Sequence, residues 1–182
     1  MADTTYCFKG RGPALPYDSM FAVLKRKINL PALIATDYGK LALASAPTVS
    51  LSSFSGFVQN DVLELFEVPK GTVIVGAGCR VSTVEGATAA AELGFDTGTQ
   101  TAIGVANSNT ADPNAYGVFD LNSAKSLAIP QIALDGSFDG FGDIYVTDGS
   151  IDLTFTTNDT YAAAIFDIWC TVFRAYEDSD AQ

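Results

Sequence analysis

The amino-acid sequence predicts an all-β protein: a β-sandwich that is jelly-roll-like and carries an extended N-terminal arm. Short segments rich in Val, Ile and Phe recur after Pro47 and are separated by Gly, Asn and Asp, which is typical of sandwiches and jelly rolls. Apolar and polar residues alternate strictly in residues 151–156, as in a strand with one buried face. Helix signals are weak, apart from a short helical turn predicted near residues 120–127.

The strands are predicted from their composition and the turns from the residues between them. The predicted strands cover residues 62–68, 72–76, 79–84, 144–147, 151–156 and 163–176. Two short segments have the residue types of tight turns, so we expect each to close a hairpin. They are Pro69-Lys70-Gly71 and Asp148-Gly149-Ser150. In the last strand one apolar face is predicted, and the strand position favours a core role for Trp169. That face consists of Phe166, Ile168, Cys170 and Val172.

The chain divides by composition into two parts. Residues 1–46 are predicted to be an N-terminal arm and attachment segment, and residues 47–182 a β-sandwich domain. Pro13 and Pro16 exclude a helix interior near the start of the arm. The pattern around residues 21–30 fits either a helix or a strand. We expect the β-body to stay folded after removal of residues 1–27.

Charge separates the two ends of the chain. The net charge is −11, yet residues 1–40 hold six of the ten basic and three of the 21 acidic groups, a net +3 that leaves −14 on the rest. An acidic protein of this kind is not expected to bind nucleic acid, which requires clustered Lys and Arg. Neither a signal peptide nor an apolar run of roughly 18 residues is visible, so no membrane partner is expected.

Catalytic, cofactor and metal sites are not predicted. The chain has no histidine and three cysteines without a CxxC pair, which excludes His-dependent triads and disfavours disulfides and zinc; free thiols fit synthesis in a reducing cytoplasm. The glycines of residues 71–78 lack the lysine of a phosphate-binding loop. Among the acids at positions 61, 64 and 67, Glu64 is expected on the opposite strand face from Asp61 and Glu67, which disfavours a catalytic pair.

Residues 94–100, 107–114 and 135–143 are rich in turn residues. The Asp-rich loop 135–148 offers oxygen ligands that suit calcium. Its acids lack the alternate-residue spacing of an EF-hand loop, so a cluster of turns is the favoured interpretation and calcium the alternative.

The stretch DVLELFEVPKGTVIVGAGCRVSTVEGATAAAELGFDTG resembles a group of small virion structural proteins of tailed bacteriophages. The resemblance continues through an IDLTF strand and the closing AIFDIWCTVFRAY strand, and it covers about residues 57–176. It implies a β-sandwich and a non-enzymatic role as a capsid decoration (cement) protein that stabilises the head. The implied partners are the major capsid protein and further copies of the chain, with a homotrimer as the natural arrangement, and the implied location is the virion after synthesis in the host cytoplasm.

Aromatic and basic residues of the N-terminal segment are the candidate partner-binding residues, because aromatic and arginine side chains anchor protein contacts and an extended segment can extend a sheet. They are Phe8, Lys9, Arg11, Tyr17, Phe21, Lys25, Arg26 and Lys27. Two alternatives remain open. One is a carbohydrate-binding β-module of a host-recognition fibre, in which Trp169, Tyr116, Tyr145 and Tyr161 stack on sugars. The other is a head–tail or tail component.

Overall fold

The computed structural model describes residues 4–9, 21–86, 90–95, 100–101, 112–122, 126–129, 144–145, 148–157 and 160–174. Its strands are β1 (Thr5–Phe8), β2 (Phe21–Asn29), β3 (Leu41–Leu43), β4 (Val62–Val68), β5 (Thr72–Thr83), β6 (Ala90–Phe95), β7 (Gln100–Thr101), β8 (Asp112–Asp120), β9 (Ser126–Ile129), β10 (Ile144–Tyr145), β11 (Gly149–Phe155) and β12 (Ile165–Arg174). A short helix, α1 (Leu30–Ala32), and two further helical turns over residues 33–40 connect β2 to β3.

The strands form two sheets with a shared core. Sheet A has the order β3-β1-β4-β11-β6-β8, and sheet B has the order β2-β12-β5-β10-β7, with β9 also pairing with β5. Neighbouring strands are antiparallel, except that β1 is parallel to β4. Buried residues of both sheets belong to one hydrophobic cluster, in which Leu153 of sheet A and Ile168 of sheet B are fully buried. The predicted all-β sandwich is confirmed.

Two turns that were expected to close hairpins instead carry the chain between the sheets. β4 lies in sheet A and β5 in sheet B, while β10 lies in sheet B and β11 in sheet A. The two corners contact each other: the Lys70 N–H donates to Asp148 Oδ1 (2.9 Å), and the Gly71 N–H donates to the Tyr145 carbonyl oxygen (2.7 Å). The turn at Lys70 and Gly71 was predicted correctly, whereas Gly149 and Ser150 are already the first residues of β11. The predicted hairpin pairing was wrong, because β4 pairs with β1 and β11 rather than with β5.

The described parts of residues 1–46 lie within the sandwich. β1 sits between β3 and β4 in sheet A, and β2 pairs with β12 along its whole length in sheet B. Residues 4–9 and 21–46 are therefore not an arm outside the body. Removal of residues 1–27 would take an interior strand from one sheet and most of an end strand from the other, so the structure favours the opposite expectation, that the body does not stay folded without them.

Three local expectations also change. Residues 72–76 and 79–84 were predicted as two strands, but β5 runs through Gly76 and Gly78 without interruption. Within the stretch 120–127, where a helical turn was expected, residues 121 and 122 form a turn in which the Asn122 N–H donates to Asp120 Oδ1 (3.0 Å), and β9 begins at Ser126, while residues 123–125 lie outside the described residues. A register shift opposite Ile151 and Asp152 leaves an extra residue, Leu65, in β4.

The register shift changes which acidic side chains of β4 lie on the same face of the sheet. Leu65 and the next residue, Phe66, are both buried. Glu64 and Glu67 consequently lie on the same outer side of sheet A, contrary to the strict alternation expected from the sequence. Asp61, before the strand, is buried and accepts a hydrogen bond from the Val58 N–H (2.9 Å), which makes it a support of the preceding loop.

Candidate interaction surface

Strand β2 has one face in the core and one face in solvent. Leu24 and Ile28 are buried, whereas Phe21 and Val23 are each 64% exposed. Lys25 and Lys27 are also exposed, as strand alternation requires for side chains on the same face as Phe21. The sequence FAVLKRKIN of β2 thus places two large apolar and two basic side chains on the outside of sheet B.

Rows of paired residues continue this face across sheet B. Phe21 is opposite Phe173, and their rings are 5.0 Å apart. Val23 is opposite Thr171, which in turn faces Gly76 of β5. A register shift beside Thr171 leaves Val75 as an extra residue that is 43% exposed. One end of the outer face is therefore apolar.

The other end of the outer face is charged. Lys25 is opposite Trp169, and Trp169 is opposite Gly78. Lys27 and Arg80 lie on either side of Asp167 in the next row. The ammonium of Lys25 is 3.7 Å from a carboxylate oxygen of Asp167, a loose contact whose lysine side chain is 62% exposed and which contributes little to stability.

Two glycines of β5 leave space for larger side chains on this outer face. Gly76 and Gly78 stand opposite Thr171 and Trp169, so the larger side chains of β12 have no Cβ beside them on β5. A Cβ added to Gly76 would meet Thr171 at 3.9 Å, an ordinary contact. Trp169 is half-buried on the outer face rather than in the core, which differs from the expectation. Gly76 and Gly78 are residues of a continuous strand and belong to no loop.

Arg26 lies on the inner side of β2, unlike its neighbours Lys25 and Lys27. Its guanidinium carbon is 4.1 Å from the centre of the Phe8 ring and 5.8 Å from that of Phe66. Burial lowers the pKa of Arg26 from its ordinary value. The planar cation stacks on aromatic rings of the opposite sheet, so Arg26 and Phe8 join the two layers and are placed for a structural role.

The eight candidate partner-binding residues do not form one surface. Phe21, Lys25 and Lys27 lie together on the outer face of sheet B, whereas Lys9 lies beside sheet A and donates from Nζ to Ser50 Oγ (2.8 Å). Arg11 and Tyr17 lie outside the described residues. Sequence reasoning missed Val23, Phe173, Val75 and Arg80. The alternation within FAVLKRKIN could have identified Val23, but the other three join the surface only through strand pairing.

The tyrosines proposed to stack on sugars are buried. Tyr116, Tyr145 and Tyr161 have at most 1% of their surface exposed. The Tyr145 hydroxyl donates to the Ser150 carbonyl oxygen (3.0 Å), and the Tyr161 hydroxyl accepts from the Thr157 N–H (3.0 Å). Their ring faces are covered by the protein itself, so these three residues cannot carry the carbohydrate-binding alternative.

The three cysteines are buried and form no disulfide bond. Burial, reinforced by Asp167, raises the pKa of Cys79 to about 12, and burial alone raises the pKa of Cys170. Thiols with such high pKa values remain protonated and are poor nucleophiles at neutral pH. Cys7 is equally inaccessible, with 1% of its surface exposed.

Neither a cluster of metal ligands nor a membrane-spanning helix is found among the described residues. They contain no group of three or more His, Cys, Asp or Glu residues placed to hold a metal ion. The Asp-rich stretch 135–143 lies outside the described residues, and Asp148, at the end of the calcium candidate, is engaged at the Lys70 corner. In the parts of the chain that the structure describes, no helix has the length and apolar character needed to span a bilayer.

Comparison with known proteins gives structural similarity without sequence similarity. No protein-family model and no curated protein matches the sequence. The fold is similar to that of a chain in the capsid of Ralstonia phage GP4, with a TM-score of 0.55 and 12% identity over 91% of this chain and 92% of that chain. A chain in the Cyanophage Pam1 capsid asymmetric unit gives a TM-score of 0.43 and 10% identity over 90% of this chain and 91% of that one.

A chain in the acidic stable capsid of Helicobacter pylori bacteriophage KHP30 gives a TM-score of 0.37 and 9% identity, over 85% of this chain and 88% of that one. The similarity to the chain in the GP4 capsid establishes a shared fold. Since it covers nearly the same share of each chain, the two chains have nearly the same length.

Proposed function

We propose that this protein is a non-enzymatic structural component of a tailed-phage virion, and specifically a capsid decoration (cement) protein that binds coat subunits and stabilises the head. The observation that carries the proposal is the fold shared over nine-tenths of both chains with a component of the GP4 capsid. A match over whole chains of equal length supports a similar role better than a match to one domain of a larger protein would.

The character of the chain supports this function. A protein that acts by binding its neighbours needs a rigid body and a surface that stays available until assembly. The shared core of the two sheets supplies the first, and the exposed apolar and basic face of sheet B supplies the second. The complete absence of histidine from the sequence removes the commonest general base at neutral pH, in keeping with a role that requires no chemistry.

The coat subunit is the primary partner in this proposal, and further copies of the chain are secondary partners, with a homotrimer as the arrangement suited to threefold positions of a shell. The protein would be made in the host cytoplasm and added to the head. Burial of all three cysteine thiols is compatible with both settings, because a thiol that is neither exposed nor ionised resists oxidation after the virion leaves the cell.

The number of copies in each virion tests the proposal. We expect quantitative mass spectrometry of purified particles to find the chain in hundreds of copies, in a fixed small ratio to the coat protein. Heads that lack the chain should bind purified protein up to that ratio and should then resist heat or loss of divalent cations better than bare heads. A stoichiometry of a dozen copies or fewer would instead indicate the head–tail or tail alternative, and absence from particles would refute both.

A further inference from the structure

The ends of the two sheets differ in how they are protected. β3 has three residues, and its outer side is used by a bridge from Ala42 to Ser50 and by the Leu51 N–H, which donates to the Leu41 carbonyl oxygen (2.9 Å). β7 has two residues, and β8 contains Pro113, which has no N–H to offer a further strand. Short strands, covered edges and proline are the usual means by which proteins prevent edge-to-edge association.

β2 lacks these protections. It is nine residues long, contains neither proline nor glycine, and pairs with β12 on one side, while none of the described strands pairs with its other side. The adjoining outer face exposes Phe21, Val23 and Val75. An exposed strand edge beside large apolar side chains is costly for a protein to keep in solution, unless it serves as a binding site.

The charge on this edge restricts the partner. Antiparallel pairing of β2 with the same strand of a second copy, centred on its middle residue Lys25, would bring the Lys25 side chains of both copies together with Lys27 two residues away in each, and like charges would oppose it. Lysines on an edge are themselves a device against self-association. A partner strand that carries carboxylates would instead be attracted. A basic strand edge of this kind is unusual on a chain whose net charge is −11.

We propose that β2 and the adjoining outer face of sheet B form the docking surface for an acidic strand edge of the coat protein. The side of β2 that pairs with none of the described strands hydrogen-bonds to the backbone of the coat strand, Phe21 and Val23 pack against its apolar side chains, and Lys25 and Lys27 face its carboxylates. This inference rests on the function proposed above, because it names where and how the decoration protein meets the shell.

The apolar half of the surface is tested by measuring binding to phage heads that lack this protein and are assembled from the coat protein of the same phage. We expect F21S/V23T to bind at least about tenfold more weakly than the wild type, because exposed aromatic residues that become buried at an interface carry much of its binding energy. The matched control is V49T/V118T, which changes two other exposed valines (63% and 38% exposed) and should bind like the wild type. Thermal melting shows whether each variant is folded.

The basic half is tested with K25E/K27E, which also keeps the proposal testable if F21S/V23T does not fold. Charge reversal should weaken binding by about tenfold or more, and ionic strength of about 0.5 M should weaken the binding of the wild type but not that of the variant. K40E is the control, since Lys40 directly precedes β3 at the end of sheet A and its side chain is 68% exposed.

The outcomes separate the two proposals. Failure of the folded wild type to bind heads refutes the proposed function, and the docking surface falls with it. Wild-type binding that is matched by both double variants refutes the docking surface and leaves the function standing. If light scattering shows that F21S/V23T only dissociates an oligomer and still binds heads, the surface belongs to a contact between copies and the assignment to the coat protein is wrong.

Discussion

The two faces of strand β12 differ much more in burial than in composition. On the inner face Phe166, Ile168, Cys170 and Val172 are at most 1% exposed, as expected for a strand in the middle of a sandwich. On the outer face Trp169 and Phe173 are only half-buried, and they adjoin Phe21 and Val23 of β2, which are largely exposed. Both faces carry aromatic residues.

The comparison teaches that apolar character alone does not indicate which residues stabilise the fold. The inner face is covered by sheet A of the same chain, whereas no other sheet covers the outer face in the part of the chain that the structure describes. Residues of the inner face should govern the free energy of unfolding, and residues of the outer face should govern association. Substitutions at Phe155 and Val23 test this division, and substitutions at Gly56 and Glu85 test local contacts that support the sandwich.

Phe155→Ala should have the largest effect on stability. Phe155 is fully buried, its ring stacks on Phe57 at 4.3 Å, and Tyr161 lies against it at 4.7 Å. Truncation leaves a cavity among aromatic rings and should lower the free energy of unfolding by about 3–5 kcal/mol in urea titrations. Phe21→Ala on the outer face is the control, with an expected loss below about 1 kcal/mol. Equal losses would contradict the division into two faces.

Gly56→Ala should have the next largest effect. Gly56 has φ of +117°, and an added Cβ would come within 2.6 Å of the Tyr161 carbonyl oxygen, which accepts a hydrogen bond from the Phe57 N–H. The strained backbone and the collision should cost about 2 kcal/mol or more, read as a lower midpoint of thermal unfolding. Gly39→Ala, where no heavy atom lies within 4 Å of the added Cβ, should change stability by less than about 0.5 kcal/mol.

Glu85→Gln should have an intermediate effect. One carboxylate oxygen of Glu85 accepts hydrogen bonds from three successive N–H groups, those of Ala162 (3.1 Å), Ala163 (2.7 Å) and Ala164 (2.7 Å), and so holds the segment that leads into β12. Removal of its charge should cost about 1–2 kcal/mol, because hydrogen bonds to an ionised acceptor are the stronger kind. Asp37→Asn breaks only a surface ion pair with Lys40 and should cost under about 0.5 kcal/mol. Equal losses in guanidinium titrations would show that the Glu85 contacts are not stabilising.

Val23→Thr should have the smallest effect on stability. The same change at Val172, in the adjacent strand, places a hydroxyl in the core, where its burial should cost about 1–2 kcal/mol. At Val23 the hydroxyl meets solvent, so the free energy of unfolding should change by less than about 0.5 kcal/mol. The pair differs in location and not in chemistry, and a similar cost at both positions would show that the outer face of sheet B is buried within the free protein.

Much of the strand pattern could be predicted from the sequence. β4 was predicted with its observed bounds, and β11 and β12 to within two residues at each end, because strict alternation and β-branched or aromatic composition are local signals. Residues 21–30 could not be assigned, since FAVLKRKIN satisfies both a helical and a strand pattern in isolation. In the structure residues 21–29 form a strand, because β12 pairs with them along their whole length.

The candidate surface could be predicted only in part. Phe21, Lys25 and Lys27 were found because they are aromatic or basic and near the start of the chain. Arg26 was included for the same reason, although it turns inward to stack on Phe8. Val75, Arg80 and Phe173 come from distant parts of the sequence, and no local signal relates them to β2.

By itself, the sequence determined that the chain is all-β, that Cys170 is buried, and that reactive histidine chemistry is excluded, because these properties follow from composition and from the two-residue period of a strand. Only the tertiary structure decided that β4 and β5 belong to different sheets, that β1 and β2 are strands of the sandwich, and that none of the described strands pairs with the second edge of β2. These depend on which strands pair, and pairing is a free-energy balance among segments far apart in the chain.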